Sequence, residues 1–131
     1  MGRFRHEAVA VDPKTGIVYQ TEDVEDSLIY RFIPKTPGKL AKGGQLQALV
    51  ITNALSADTR NWKKQLIKPG VKLPTRWVNL DEVESPKDDL RIRGHAKGAA
   101  RFARGEGMWH GDGTIYFVCT NGGKKQHGQV W

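Results

Sequence analysis

Glu7-Ala8-Val9-Ala10-Val11, Asp12-Pro13-Lys14-Thr15-Gly16, Ile17-Val18-Tyr19-Gln20-Thr21 and then Ser27-Leu28-Ile29-Tyr30-Arg31-Phe32-Ile33-Pro34 is the stretch whose reading decides the fold. Short apolar runs alternate with turn chemistry. Pro13 presets its own φ and Gly16 supplies a positive one, so Asp12 to Gly16 reads as a tight turn between two strands. Leu28, Tyr30 and Phe32 recur every second residue, the period of a half-buried strand. Pro34 has no N–H to give a ladder and is expected to end its strand. Outward from there, Leu46-Gln47-Ala48-Leu49-Val50-Ile51 supplies a fourth strand. Four short antiparallel strands joined by tight turns make one propeller blade.

The C-terminal end returns to β. Gly107-Met108-Trp109-His110 and Thr114-Ile115-Tyr116-Phe117-Val118-Cys119-Thr120 flank Gly111-Asp112-Gly113, a strong hairpin signal. Asn121-Gly122-Gly123 turns again, and Gly128-Gln129-Val130-Trp131 begins another strand. The two β regions echo each other: His6-Glu7-Ala8 with Ile17-Val18-Tyr19 parallels Gly105-Glu106-Gly107 with Thr114-Ile115-Tyr116. The middle lacks strict alternation. A helical turn is expected near Thr59 to Lys64, a short strand at Arg76 to Leu80, and a helix within Asp88 to Arg104 that Gly94 and Gly98 weaken. The expected organisation is mainly β, with a first antiparallel propeller blade over 1–51, a loop and helical insertion over 52–104, and part of a second blade over 105–131.

Composition bounds the function. The chain has 131 residues, 15 glycines and a net charge of +7. A basic balance fits nucleic acid, an anionic membrane surface or an anionic substrate. The positive residues are scattered and no aromatic-basic interleaving occurs, so no nucleic acid partner is expected. A single cysteine, Cys119, excludes an internal disulfide and a cysteine-paired zinc site. The four histidines show no zinc-hydrolase spacing. No GxxxxGK phosphate loop is present. No apolar run is long enough for a membrane span, and Met1 to His6 does not read as a signal peptide. Strand edges left open at Val130-Trp131 predict self-association, or a chain that is a fragment of a larger ring.

Several motifs together resemble one family. Gly2-Arg3-Phe4-Arg5-His6-Glu7-Ala8 is similar to the Gly-Arg-Phe-x-His-Glu opening of the PhoX-type alkaline phosphatases. Thr21-Glu22-Asp23 matches that family's Thr-Glu-Asp turn, and Asp26 to Phe32 the strand after it. Gly98 to Trp109 is similar to the family's second glutamate motif, and Thr120-Asn121-Gly122-Gly123 continues the match. The resemblance is loose across Thr52 to Arg91. It implies a propeller carrying calcium and iron at its centre and hydrolysing a phosphate-bearing small molecule, a phosphate monoester, in exported bacterial proteins. By motif, Glu7 and Glu106 fall at metal-ligand glutamates, and carboxylates are hard oxygen donors suited to both ions.

Each candidate has a plainer reading. Glu7 could be a surface carboxylate paired with Arg3 or Arg5, and Glu106 a turn carboxylate beside Arg104. Glu22 and Asp23 could be a solvated turn or could support the metal. His6, Arg5 and Arg104 are candidates for holding the ligands or a substrate phosphate. Cys119 reads as core; the family's iron centre uses a cysteine, but Cys119 is not matched to it. Trp109 and Trp131 read as packing residues. No residue is singled out as catalytic. The alternative to a phosphatase-like segment is a non-catalytic calcium-binding or scaffold module of the same fold.

Overall fold

The computed structural model describes residues 1–131. The fold is mainly β, in two antiparallel sheets. The first sheet contains β1 (His6–Val11), β2 (Val18–Glu22), β3 (Tyr30–Pro34), β4 (Gly44–Ile51) and β5 (Thr75–Asn79), in that spatial order. The second contains β6 (Gly105–Gly111), β7 (Thr114–Cys119) and β8 (Gln129–Val130). A single α-helix, α1 (Leu90–Ala96), precedes the second sheet, and a 3-10 turn at Leu40–Lys42 lies between β3 and β4. No helix is long and apolar enough to cross a membrane.

Local chemistry sets the turns. Asp12 accepts from the Lys14 N–H at 2.9 Å and from the Thr15 hydroxyl at 2.7 Å, which closes the β1–β2 loop. Asp112 and Gly113 both adopt positive φ, 50° and 75°, as a two-residue hairpin between β6 and β7 requires. β3 ends at Pro34 as expected.

The middle of the chain is where the sequence reading needed correction. Arg76 to Asn79 does form a strand, and it pairs with β4 as the fifth member of the first sheet. Thr59 to Lys64 forms turns and bends without a helix. The helix expected within Asp88 to Arg104 covers only Leu90–Ala96. Gly94, which weakens helix propensity, is required by packing: a Cβ there would come within 2.5 Å of the Leu28 side chain. Close docking of α1 on the sheet therefore outweighs the propensity cost.

Two apolar clusters build the core. One joins Phe4, Leu28, Tyr30, Phe32, Leu46 and Val50 under the first sheet, with Leu90 and Ala99 closing it. The other joins Ile29, Ile51, Phe102, Phe117 and Cys119. Residues 100–103 run between the sheets and tie them together. The Phe102 N–H donates to the Ser27 carbonyl at 2.8 Å, and the Ser27 hydroxyl donates to the Phe102 carbonyl at 3.2 Å. Trp131 packs edge-on to Phe102 and stacks on Phe117. Trp109, by contrast, is 73% exposed, so its expected packing role does not hold. It lies in β6, an edge strand with neither sheet covering that side chain.

Candidate functional site

Both candidate glutamates sit at the same kind of backbone irregularity. In β1 the pairing steps from His6↔Glu22 to Val9↔Gln20, so three residues of β1 advance against two of β2. In β6 it steps from Gly105↔Cys119 to Met108↔Phe117, with the same excess. Each strand therefore carries a β-bulge, one across Glu7-Ala8 and the other across Glu106-Gly107. A bulge bends its strand and re-aims a side chain out of the regular alternation. The repeat noticed in the sequence is thus a repeat of backbone geometry.

The two bulged strands are neighbours in space, and one side chain locks them. The Thr21 hydroxyl donates to the Glu106 carbonyl at 2.7 Å and accepts from the Ala8 N–H at 3.0 Å. Gly105 makes this approach possible. A Cβ there would lie 3.1 Å from both the Glu22 carbonyl oxygen and the Thr21 Cβ. The sequence does not mark Thr21 as a bridge between strands. A threonine in a strand carries no local signal that its hydroxyl will meet a residue at the far end of the chain.

Glu7, Glu106, Asp23 and Arg104 form one charged neighbourhood. Partial burial, then the charges of Asp23 and Glu7, push the Glu106 carboxyl above its ordinary range, while Arg104 pulls it back. Arg104 holds Asp23 through two bonds, Nε at 2.8 Å and Nη2 at 3.0 Å. Its Nη2 also reaches Glu106 Oε1 at 3.3 Å. Arg104 adopts φ 50°, an uncommon conformation for an arginine. Its backbone is held there by the Val24 carbonyl and the Thr120 N–H.

The remaining candidates are placed elsewhere. Glu7 is an exposed carboxylate, as its plainer reading has it, but neither Arg3 nor Arg5 forms an ion pair with it, and Arg5 lies 3.8 Å from Asp88 instead. The His6 ring stacks on Phe4 at 3.7 Å between centroids and bonds the Gly2 carbonyl. Glu22, expected in a solvated turn or beside a metal, is instead fully buried at the end of β2. Its Oε2 accepts from the Tyr30 hydroxyl at 2.8 Å and from the Leu28 N–H at 3.2 Å, and its Oε1 has no partner. Burial raises its carboxyl to about 7, more than these bonds lower it. The turn residues around Glu22 are polar, and only the fold of 27–30 over it reveals the burial. Cys119 is core, as expected: it is fully buried, and burial pushes its thiol up to about 12.

The donor set fits a hard cation in kind and falls short in number. Glu7 and Glu106 supply carboxylate oxygens from two strands, and Asp23 is committed to Arg104. No group of three or more His, Cys, Asp or Glu side chains is gathered so as to hold a metal ion.

The alkaline phosphatase PhoX family description matches residues 1–131, the whole chain. The chain belongs to the PhoX family. No curated protein matches it. Its fold is similar to that of Pseudomonas fluorescens PhoX, solved in complex with vanadate, a transition state analogue, with TM-score 0.60 and 21% sequence identity. That match covers 98% of this chain and 28% of the Pseudomonas protein. The likeness fixes the fold as the antiparallel blade arrangement of PhoX, and the chain spans little more than a quarter of that relative's length.

Proposed function

We propose that this chain is a segment of a metal-dependent phosphatase-like propeller, in which Glu7 and Glu106 are ligands of a shared cation centre. The observation that carries the reading is the matched pair of β-bulges, which set one glutamate from each sheet at strands that Thr21 clamps together. Blades of a propeller present equivalent strand positions to a common axis. Calcium and iron are the ions that suit these donors. Glu7 and Glu106 would hold such a cation, which when bound would supply charge neutralisation and orientation for a phosphate group and polarisation of the attacking oxygen. Among the chain's own residues, Arg104 presents a half-exposed guanidinium whose orientation Asp23 fixes, a geometry suited to a phosphate oxygen. Arg5 and His6 hold the entry of β1 through Asp88 and Phe4 rather than the carboxylate pair. Glu22 acts through the packing of β2 under the site. The substrate class is a phosphate monoester, in an exported setting.

A second reading is a cation-binding or scaffold module without turnover. The two-carboxylate donor set favours it for the chain alone. Calorimetric titration of the pure chain with Ca²⁺ and with Fe³⁺, alongside melting curves, tests both. The native state should melt higher with either ion, by an amount that grows with the ratio of ion to Kd. Glu7→Gln and Glu106→Gln should each remove most of that rise. The same rise in all three proteins would refute the ligand assignment. Turnover of p-nitrophenyl phosphate that Glu7→Ala abolishes would refute the second reading.

A further inference from the structure

Far along the chain from the glutamates, the segment between Thr59 and Leu80 contains no carboxylate. Its loop carries Lys63, Lys64, Lys68 and Lys72, all exposed. Interleaved with them are Leu66, 57% exposed, and Val71, 53% exposed. The loop is shaped by a buried side chain. Asn61 Oδ1 accepts from the Leu66 and Ile67 N–H groups at 2.9 and 3.1 Å, and its Nδ2 donates to the Ile67 carbonyl at 2.7 Å. A second lysine-bearing loop is fastened beside it. The Gly123 N–H donates to the Arg60 carbonyl at 2.7 Å, and the Trp62 indole N–H to the Asn121 carbonyl at 2.7 Å. That places Lys124 and Lys125 next to the first loop. None of these six lysines forms an ion pair, whereas Arg60, Arg91, Arg93, Lys97 and Arg104 do.

We propose that these two loops form a docking surface for an anionic lipid bilayer. Clustered lysines attract acidic headgroups, each contributing where it lies within a Debye length of the surface. Exposed aliphatic side chains among them add apolar burial at the headgroup–acyl boundary, the combination that interfacial segments use. A lysine cluster alone would serve any polyanion. Leu66 and Val71 distinguish the surface, since water-exposed aliphatic groups gain nothing from a nucleic acid backbone. Single-stranded nucleic acid sites stack successive bases on several aromatic rings, whereas this loop carries one, Trp62, with the Arg60 guanidinium already 4.2 Å over its ring. The loop's fixed shape lowers the ordering cost of binding.

Flotation of the chain with phosphatidylcholine vesicles, with and without phosphatidylglycerol, tests this. Binding is expected only with the anionic lipid, and should weaken as salt rises. Reversal of two charges by Lys63→Glu with Lys64→Glu should lower the affinity at least about tenfold. Leu66→Ser should lower it roughly tenfold while leaving the salt dependence unchanged. The control is Lys35→Glu with Lys39→Glu, on the loop between β3 and β4, which should change little. All are surface positions, and matching melting temperatures confirm that each variant folds. Absence of binding at low salt overturns the proposal. So does equal loss from the control pair. Indifference to Leu66→Ser together with complete competition by duplex DNA would make the surface a nucleic acid site and likewise overturn it.

Discussion

Glu22 should make the chain's stability fall as pH rises through neutrality. The carboxyl is fully buried, and only one of its oxygens is hydrogen-bonded. Its folded-state value is about 7 against an ordinary 4.5. Between those values the folded chain keeps a proton that the unfolded chain releases. The folded state therefore binds more protons, and stability declines with rising pH across the window. The contribution is fully present below 4.5 and lost once pH has passed through the folded value. A shift of this size corresponds to about 3 kcal/mol in all, of which roughly 2–3 kcal/mol falls between about pH 5 and about pH 8. For a domain of this size that is roughly 10 °C in Tm. Glu22→Gln removes the titration. The amide oxygen can still accept from the Tyr30 hydroxyl and the Leu28 N–H, and the amide nitrogen takes the place of the unpartnered oxygen. Urea unfolding of both proteins across the window is the assay. The variant's curve should be flatter by that amount and should cross above the wild type on the alkaline side. Glu106 also carries a raised value, with the same sign, so the difference between the two proteins isolates Glu22. Parallel curves would show that the folded chain already holds Glu22 ionised on the acid side, and the burial argument would fail.

Other consequences follow from the clamp between β1 and β6. Thr21→Val keeps the shape but leaves the Ala8 N–H and the Glu106 carbonyl without a partner, so it should cost about 1–3 kcal/mol in chemical unfolding. Gly105→Ala forces a methyl against backbone of β2 and should cost about 1–3 kcal/mol, with protease cleavage rising near 104–106. Cys119 should react with a thiol reagent only at the rate of global opening, and rapid labelling of the folded chain would contradict its burial.

Much of the frame was legible from the residues. Alternation in Leu28, Tyr30 and Phe32, the stop at Pro34 and the Asp112-Gly113 turn are local signals, set by the pleat and by allowed φ values. Motif and internal echo pair Glu7 with Glu106 as ligand candidates, and the structure adds that each lies at a bulge in its strand. Other features had no local signature. Glu22 reads as a polar turn residue because nothing adjacent in sequence shows that Tyr30 and Leu28 will close over it. Gly94 reads as a helix breaker because its reason, the Leu28 side chain, lies far away along the chain. Trp109 reads as core because hydrophobicity does not say which face of an edge strand another sheet will cover.

By itself, the sequence determined where strands form and turn, because those choices depend on neighbours a few residues apart. Only the tertiary structure decided which charges meet, which carboxyl is dry and which glycine is a contact. Those outcomes depend on contacts between segments apart in the chain: Tyr30 and Leu28 over Glu22, Leu28 against Gly94, and β1 and β6 close enough for the Thr21 hydroxyl to bond both strands.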